Sequence, residues 1–152
     1  MLGNNQLLEL VEVRKVHNGA SAGQTTITPT PIDMAGFDGI AVLADLGTVT
    51  DACVLNLKLQ QGDQSGGGDA ADILDPAGNV VGTGNITAAS DSNKILAVDV
   101  VRPTGRYVTP VLARGTQNAV VNTIIALLYR SKEPTPVTQG ATIESAVVKP
   151  AA

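Results

Sequence analysis

Aromatic residues are nearly absent from this sequence. Its 152 residues contain no Trp, one Phe and two Tyr. A hydrophobic core must therefore be assembled from Val, Ile, Leu and Ala. Sugar-binding clefts depend on aromatic rings that stack on the ligand, so the scarcity argues against a glycan-binding module.

Cysteine and histidine each occur once, as Cys53 and His17. A single cysteine excludes an internal disulfide, and the two residues together are too few for a structural zinc site. A Ser-His-Asp or Cys-His arrangement can be built only around His17, which precedes Asn18 and Gly19 at a predicted strand end. We therefore expect no metal, no cofactor and no enzymatic activity, and a buried, inert Cys53 thiol.

Charged residues are also few, at 16% of the chain, and the net charge is −4. The ten basic residues form no stripe with interleaved aromatics, which argues against a nucleic-acid partner. No run of about 18 apolar residues is present, so no membrane-spanning helix is expected. The N-terminus lacks the basic region of a secretion signal. A surface with so few charges indicates that part of it is covered by partners.

What the sequence does contain is a series of apolar segments with strand periodicity, in a chain long enough for about one domain. Strands are predicted at 39–46, 53–61, 94–102, 107–114 and 119–130, with shorter ones at 72–74 and 80–87 and an edge strand near 25–32. The 53–61 segment alternates most clearly. We predict an all-β antiparallel β-sandwich, or jelly roll, over residues 10–130, with extended arms at 1–9 and 131–152.

Two segments leave the type of secondary structure open. Residues 7–17 fit either a short helix at their start or a strand, and β-branched Val11, Val13 and Val16 favour a strand from Leu10. The segment 119–130 is apolar on both faces around Ile125. We interpret it as a central strand covered on both sides, although periodicity alone does not exclude a helix.

Candidate partner-binding residues lie in two places. Arg102, Arg106 and Arg114 flank two predicted turns, where they either clamp acidic groups of a partner or pair within the subunit, for example with Asp99. The second place is the proline-rich segment after residue 130, which carries apolar residues that a solvated tail does not need: Ile143, Val147 and Val148. An arm that orders on a neighbouring subunit and a disordered tail both remain open.

The acidic residues give the only candidate for ion binding. Asp63, Asp69, Asp72 and Asp75 lie in and after a glycine-rich loop, and oxygen ligands of this kind suit calcium. Their spacing matches no EF-hand, and a solvated loop is the favoured interpretation. A small hydrolase that uses this aspartate cluster is the weakest functional alternative.

Two stretches resemble small structural proteins of tailed-phage virions. One covers 91–130, with the pattern DSNK, an apolar strand, RPTGRYV, a second strand, RGTQNAV and a final apolar strand ending in Tyr. The other is ADLGTVTDACVLNLKLQQGDQSGG. The resemblance implies a jelly-roll-like capsid decoration, or cement, protein. Such a protein binds the outer surface of the phage head and locks adjacent capsomers together.

On this resemblance, the expected partners are the major capsid protein and further copies of the chain itself, with a homotrimer favoured over a homodimer. The expected location is the exterior of the capsid, after synthesis in the host cytoplasm. Two alternatives to the cement function remain, which are a structural component of the tail or neck and a glycan-binding module on the virion surface.

Overall fold

The computed structural model describes residues 5–132 and 136–148. Residues 1–4 of the predicted N-terminal arm, and 133–135 and 149–152 of the predicted C-terminal arm, lie outside this description. The described elements are a short helix α1 (Leu7–Leu10), a 3-10 helix (Ala89–Asp91) and the strands β1 (Glu12–His17), β2 (Ala20–Gly23), β3 (Ile32–Asp33), β4 (Phe37–Val49), β5 (Val54–Gly62), β6 (Ala71–Asp72), β7 (Ile95–Val101), β8 (Tyr107–Gly115) and β9 (Ala119–Ser131).

The strands form two antiparallel sheets. Sheet I has the order β1-β9-β4-β7, with β2 also pairing with β9, and sheet II has the order β3-β8-β5-β6. From β3 onward the chain repeatedly crosses from one sheet to the other, which is the wrapped connectivity of a jelly roll. The predicted all-β sandwich is confirmed.

The core lies between the sheets and is aliphatic, as the shortage of aromatics requires. In β5, Leu55, Leu57 and Leu59 are fully buried, whereas the intervening Asn56 and Lys58 are partly exposed. Cys53, directly before the strand, is also buried. The alternation predicted for 53–61 is confirmed, with one face against the opposite sheet.

Strand β9 is central in sheet I, as predicted, because it pairs with β4 on one side and with β1 and β2 on the other. The predicted cover on both faces is wrong for the described residues. Ile124 is fully buried, whereas Ile125 and Leu127 face outward and are only partly buried. The pairing of β9 with β4 shifts register near Leu46, and the core-facing residues of β9 change there from odd to even numbers. A strictly alternating pattern in the sequence does not predict such a shift.

The N-terminal segment contains both structures that the sequence left open. Helix α1 occupies Leu7–Leu10, and the strand begins at Glu12, later than predicted. The helix starts with a capping box, in which the Glu9 carboxylate accepts a hydrogen bond from Gln6 N at 2.7 Å. The predicted strand at 80–87 is wrong, since that segment makes only isolated bridges, including Gly82 to Lys58.

Candidate partner-binding surface

The three candidate arginines lie in different environments. Arg106 forms a two-bond ion pair with Asp33, with Nε–Oδ1 and Nη2–Oδ2 distances of 3.1 and 3.0 Å. This pair raises the pKa of the guanidinium and lowers that of the carboxyl. Arg102 is exposed, has a left-handed backbone with φ of 54°, and makes no side-chain ion pair with the described residues. The partner suggested for them, Asp99, instead accepts a hydrogen bond from Tyr129.

Arg114 is an internal residue. Its side chain lies between the sheets near β2, and its guanidinium donates to Thr25 O at 2.8 Å, Ser21 O at 2.9 Å and Ala119 O at 2.7 Å. The residue is only 8% exposed. Because these donors are used within the chain, Arg114 is not available to clamp a partner. The signal for this was its spacing of two from the buried Leu112, which places both side chains on the core face of β8.

The acidic residues of the glycine-rich region do not converge. The Asp69 carboxylate accepts from the backbone of Asp63 and Gln64 and closes the loop. Asp72 pairs with Lys58 at 2.8 Å, and Asp75 accepts three hydrogen bonds within its own turn. These bonds lower the pKa of all three carboxyl groups. Within residues 5–132 and 136–148, no group of three or more His, Cys, Asp or Glu is placed to hold a metal ion.

The single histidine and the single cysteine also make contacts within the subunit. His17 Nδ1 accepts a hydrogen bond from Gly19 N at 3.0 Å, in the irregular step between β1 and β2. Cys53 is buried, its sulfur lies 3.4 Å from Ile86 O, and desolvation raises the pKa of its thiol. A raised pKa keeps the thiol protonated at neutral pH, which makes it a poor nucleophile.

The N-terminal and C-terminal parts of the described chain meet at the β1 edge of sheet I. Val137 N donates to Glu9 O at 2.9 Å, just after the described segment resumes. The Gln139 side chain accepts from Val13 N at 2.9 Å and donates to Val11 O at 2.7 Å and Leu8 O at 3.0 Å. This single amide therefore satisfies backbone groups of both α1 and β1, and it fixes the C-terminal segment against the edge strand.

This junction presents exposed apolar side chains. Gln6 Nε2 donates to Val148 O at 2.7 Å, so the end of the described C-terminal segment lies beside the start of α1. Leu7 and Val148 are each 68% exposed, and Val147 is also exposed. We call Leu7, Val147 and Val148 the terminal patch. The sequence pointed to Val147 and Val148 but not to Leu7. Ile143, the other candidate of this segment, is partly buried.

The sequence matches no protein-family model, and no curated protein is significantly similar to it. None of the described helices is long and apolar enough to cross a membrane.

Proposed function

We propose that this chain is a non-enzymatic structural protein of a tailed-phage virion, which binds the outer surface of the head and cements adjacent capsomers. The observation that carries the proposal is the terminal patch. Exposed apolar side chains that the fold brings together are typical of a surface that a partner covers. The major capsid protein is the proposed partner, and attachment is proposed to involve no cofactor, nucleic acid or membrane.

Two further features support this function. Asp69, Asp72, His17 and Cys53 each make contacts within the subunit, which supports a structural role for these residues. The stretch 91–130, which resembles virion proteins, forms β7, β8, most of β9 and the turns that connect these strands. A jelly roll serves many functions, so the fold alone does not separate a cement protein from other structural proteins.

The test is co-sedimentation of the purified protein with heads of its phage that lack it, with bound copies counted. We expect saturation at a number set by icosahedral symmetry, together with a higher melting temperature of the heads. Val148→Asp should weaken binding, because it places a charge on the terminal patch. Val54→Asp is the matched control, since Val54 is an exposed valine at the start of β5.

Three results would count against the proposal. Absence of binding would reject the head as the target. Far fewer copies than the head has capsomers would favour a component of the neck or tail. Equal binding by the Val148→Asp and Val54→Asp variants would show that the terminal patch is not the attachment surface.

A further inference from the structure

Strand β7 has an unpaired edge that differs from every other edge in the described sheets. It runs for seven residues, Ile95–Val101, and pairs with β4 alone in an unbroken register. Strands β3 and β6 have only two residues each and β2 has four, whereas the edge of β1 is bonded at Val13 N by the Gln139 side chain. Natural sheets usually protect a long edge with a proline, a lysine, a bulge or a covering segment. Within its span β7 has no proline, no lysine and no bulge.

The hydrogen bonds at the two ends of β7 define which backbone groups are free. Lys94 O accepts from Leu46 N at 2.9 Å, and Arg102 N donates to Asp38 O at 2.6 Å. In an antiparallel pair, successive residues alternate between facing the partner and facing away. The even-numbered residues of β7 therefore bond to β4. The odd-numbered residues of β7 are Ile95, Ala97, Asp99 and Val101. Their backbone N–H and C=O groups face away from β4, and no described residue bonds to these groups.

The side chains of these same residues are also exposed. Ile95 is 61% and Val101 is 51% exposed, whereas the even-numbered Leu96 and Val98 are buried in the core. The one charge, Asp99, is held over the sheet by the Tyr129 hydroxyl. Two more exposed apolar residues lie beside this strand: Leu74 lines a pocket together with Val100 and Val101, and Val80 forms a bridge with Leu74. Free backbone groups, apolar side chains and little charge are what strand addition requires.

We propose that the β7 edge is a self-association surface, on which β7 of a second copy pairs antiparallel across a two-fold axis at Val98. The sequence ILAVDVV is nearly symmetric in polarity about this residue. In this register Ile95 lies opposite Val101 of the second copy, and Ala97 lies opposite Asp99 of the second copy. Every outward backbone group of the four odd-numbered residues then has a partner, and sheet I becomes continuous through both subunits.

Neighbouring registers fit less well. A shift of one pairing step in one direction places the two Asp99 side chains directly opposite each other, and like charges at that position are destabilising. The same shift also brings Ile95 opposite Pro103, which has no N–H to donate. A shift in the other direction places Asp99 opposite Ile95 of the second copy. The register centred on Val98 keeps the two carboxylates apart and matches apolar residues with each other.

This pairing leaves the terminal patch of each copy free, because β1 and β7 are opposite edges of sheet I. It gives a two-fold dimer in place of the trimer that the sequence analysis favoured. The inference does not rest on the proposed function, since it uses only the edge strand and its exposed side chains.

The test is the molar mass in solution, measured by light scattering and sedimentation velocity over a range of concentrations. We expect the unmodified protein to have twice the mass of one chain. Val101→Lys should be monomeric, because it places charge on the docking edge, whereas the matched Val54→Lys variant should remain dimeric. Ala97→Pro should also be monomeric, because it removes an outward N–H that bonds to nothing within the subunit.

Amide hydrogen exchange gives an independent readout. The N–H groups of Ala97, Asp99 and Val101 should be protected in the unmodified protein and should exchange rapidly in the Val101→Lys variant. A wild-type protein that stays monomeric, or a dimer or trimer that persists in both edge variants, would overturn the proposal. Rapid exchange of these amides in the wild-type oligomer would do the same.

Discussion

Replacing Arg114 by Met should destabilise the protein far more than the same change at an exposed arginine. The substitution keeps most of the aliphatic stem but removes the donors to Thr25 O, Ser21 O and Ala119 O. An acceptor that is left buried without a partner costs about 1–3 kcal/mol. The bond to Ala119 O is buried, whereas the other two lie in partly buried surroundings that water can reach.

The opposing effect is the desolvation of the guanidinium, which lowers the pKa of Arg114 and which the substitution relieves. We count the full cost for Ala119 O, which is buried, and only a fraction of it for Thr25 O and Ser21 O. The free energy of unfolding should then fall by a net amount of about 2–3 kcal/mol. For a domain of this size that corresponds to a fall in Tm of roughly 4–12 °C.

Thermal unfolding followed by circular dichroism measures this effect, with Arg106→Met as the matched control just before the first residue of β8. Arg106 pairs with Asp33 at the surface, where ion pairs contribute little to stability, so its Tm should hardly change. Equal Tm values for the two variants would refute the argument that the three carbonyl contacts of Arg114 stabilise the sandwich.

Three further predictions concern sheet I. Ile124→Asp should abolish cooperative unfolding, because it buries a charge in the core. Ile125→Asp should remain folded, because that side chain faces outward. Thermal unfolding followed by circular dichroism distinguishes the two variants. Burial and the nearby Asp99 carboxylate raise the pKa of Tyr129 to about 12. In the Tyr107→Phe variant, where Tyr129 is the one remaining tyrosine, tyrosinate absorbance should therefore titrate near pH 12. A midpoint at the ordinary value of 10.0 would contradict this prediction. Because the unfolded chain ionises first, stability should fall as pH rises from about 10 to about 12. Gly39→Ala should lower that midpoint, because a Cβ at this position would overlap Cε2 of the Tyr129 ring and displace the ring.

The sequence predicts best those strands in which the pattern of apolar residues follows directly from burial of one face of the strand against the core. The sequence predicts strands β4, β5, β7, β8 and β9, because each combines a pattern of apolar residues with a turn signal at its end. Residues 80–87 also contain β-branched residues, but they make only isolated bridges to β5 and to Leu74. Whether such a segment becomes a strand depends on the space left beside the sheet, and that is a tertiary property.

The candidate site was predicted only in part. Val147 and Val148 stood out because apolar residues are unexpected in a proline-rich segment. Their position beside Leu7 depends on bonds between Gln139 and the N-terminal residues, a contact across almost the whole chain that no local pattern encodes. The arginines show the reverse case, since their spacing from turns suggested a shared role that the fold does not give them.

The position of β9 has a consequence for how the chain folds. This last strand lies between β4 and β1, so Glu12 pairs with Leu128 and most contacts of sheet I join distant parts of the sequence. Folds dominated by such contacts fold in milliseconds to seconds, because loop closure precedes the gain from pairing. During synthesis, β1 and one edge of β4 have no partner until β9 leaves the ribosome. Chains that stop before β9 should therefore aggregate instead of accumulating as a partly folded sandwich.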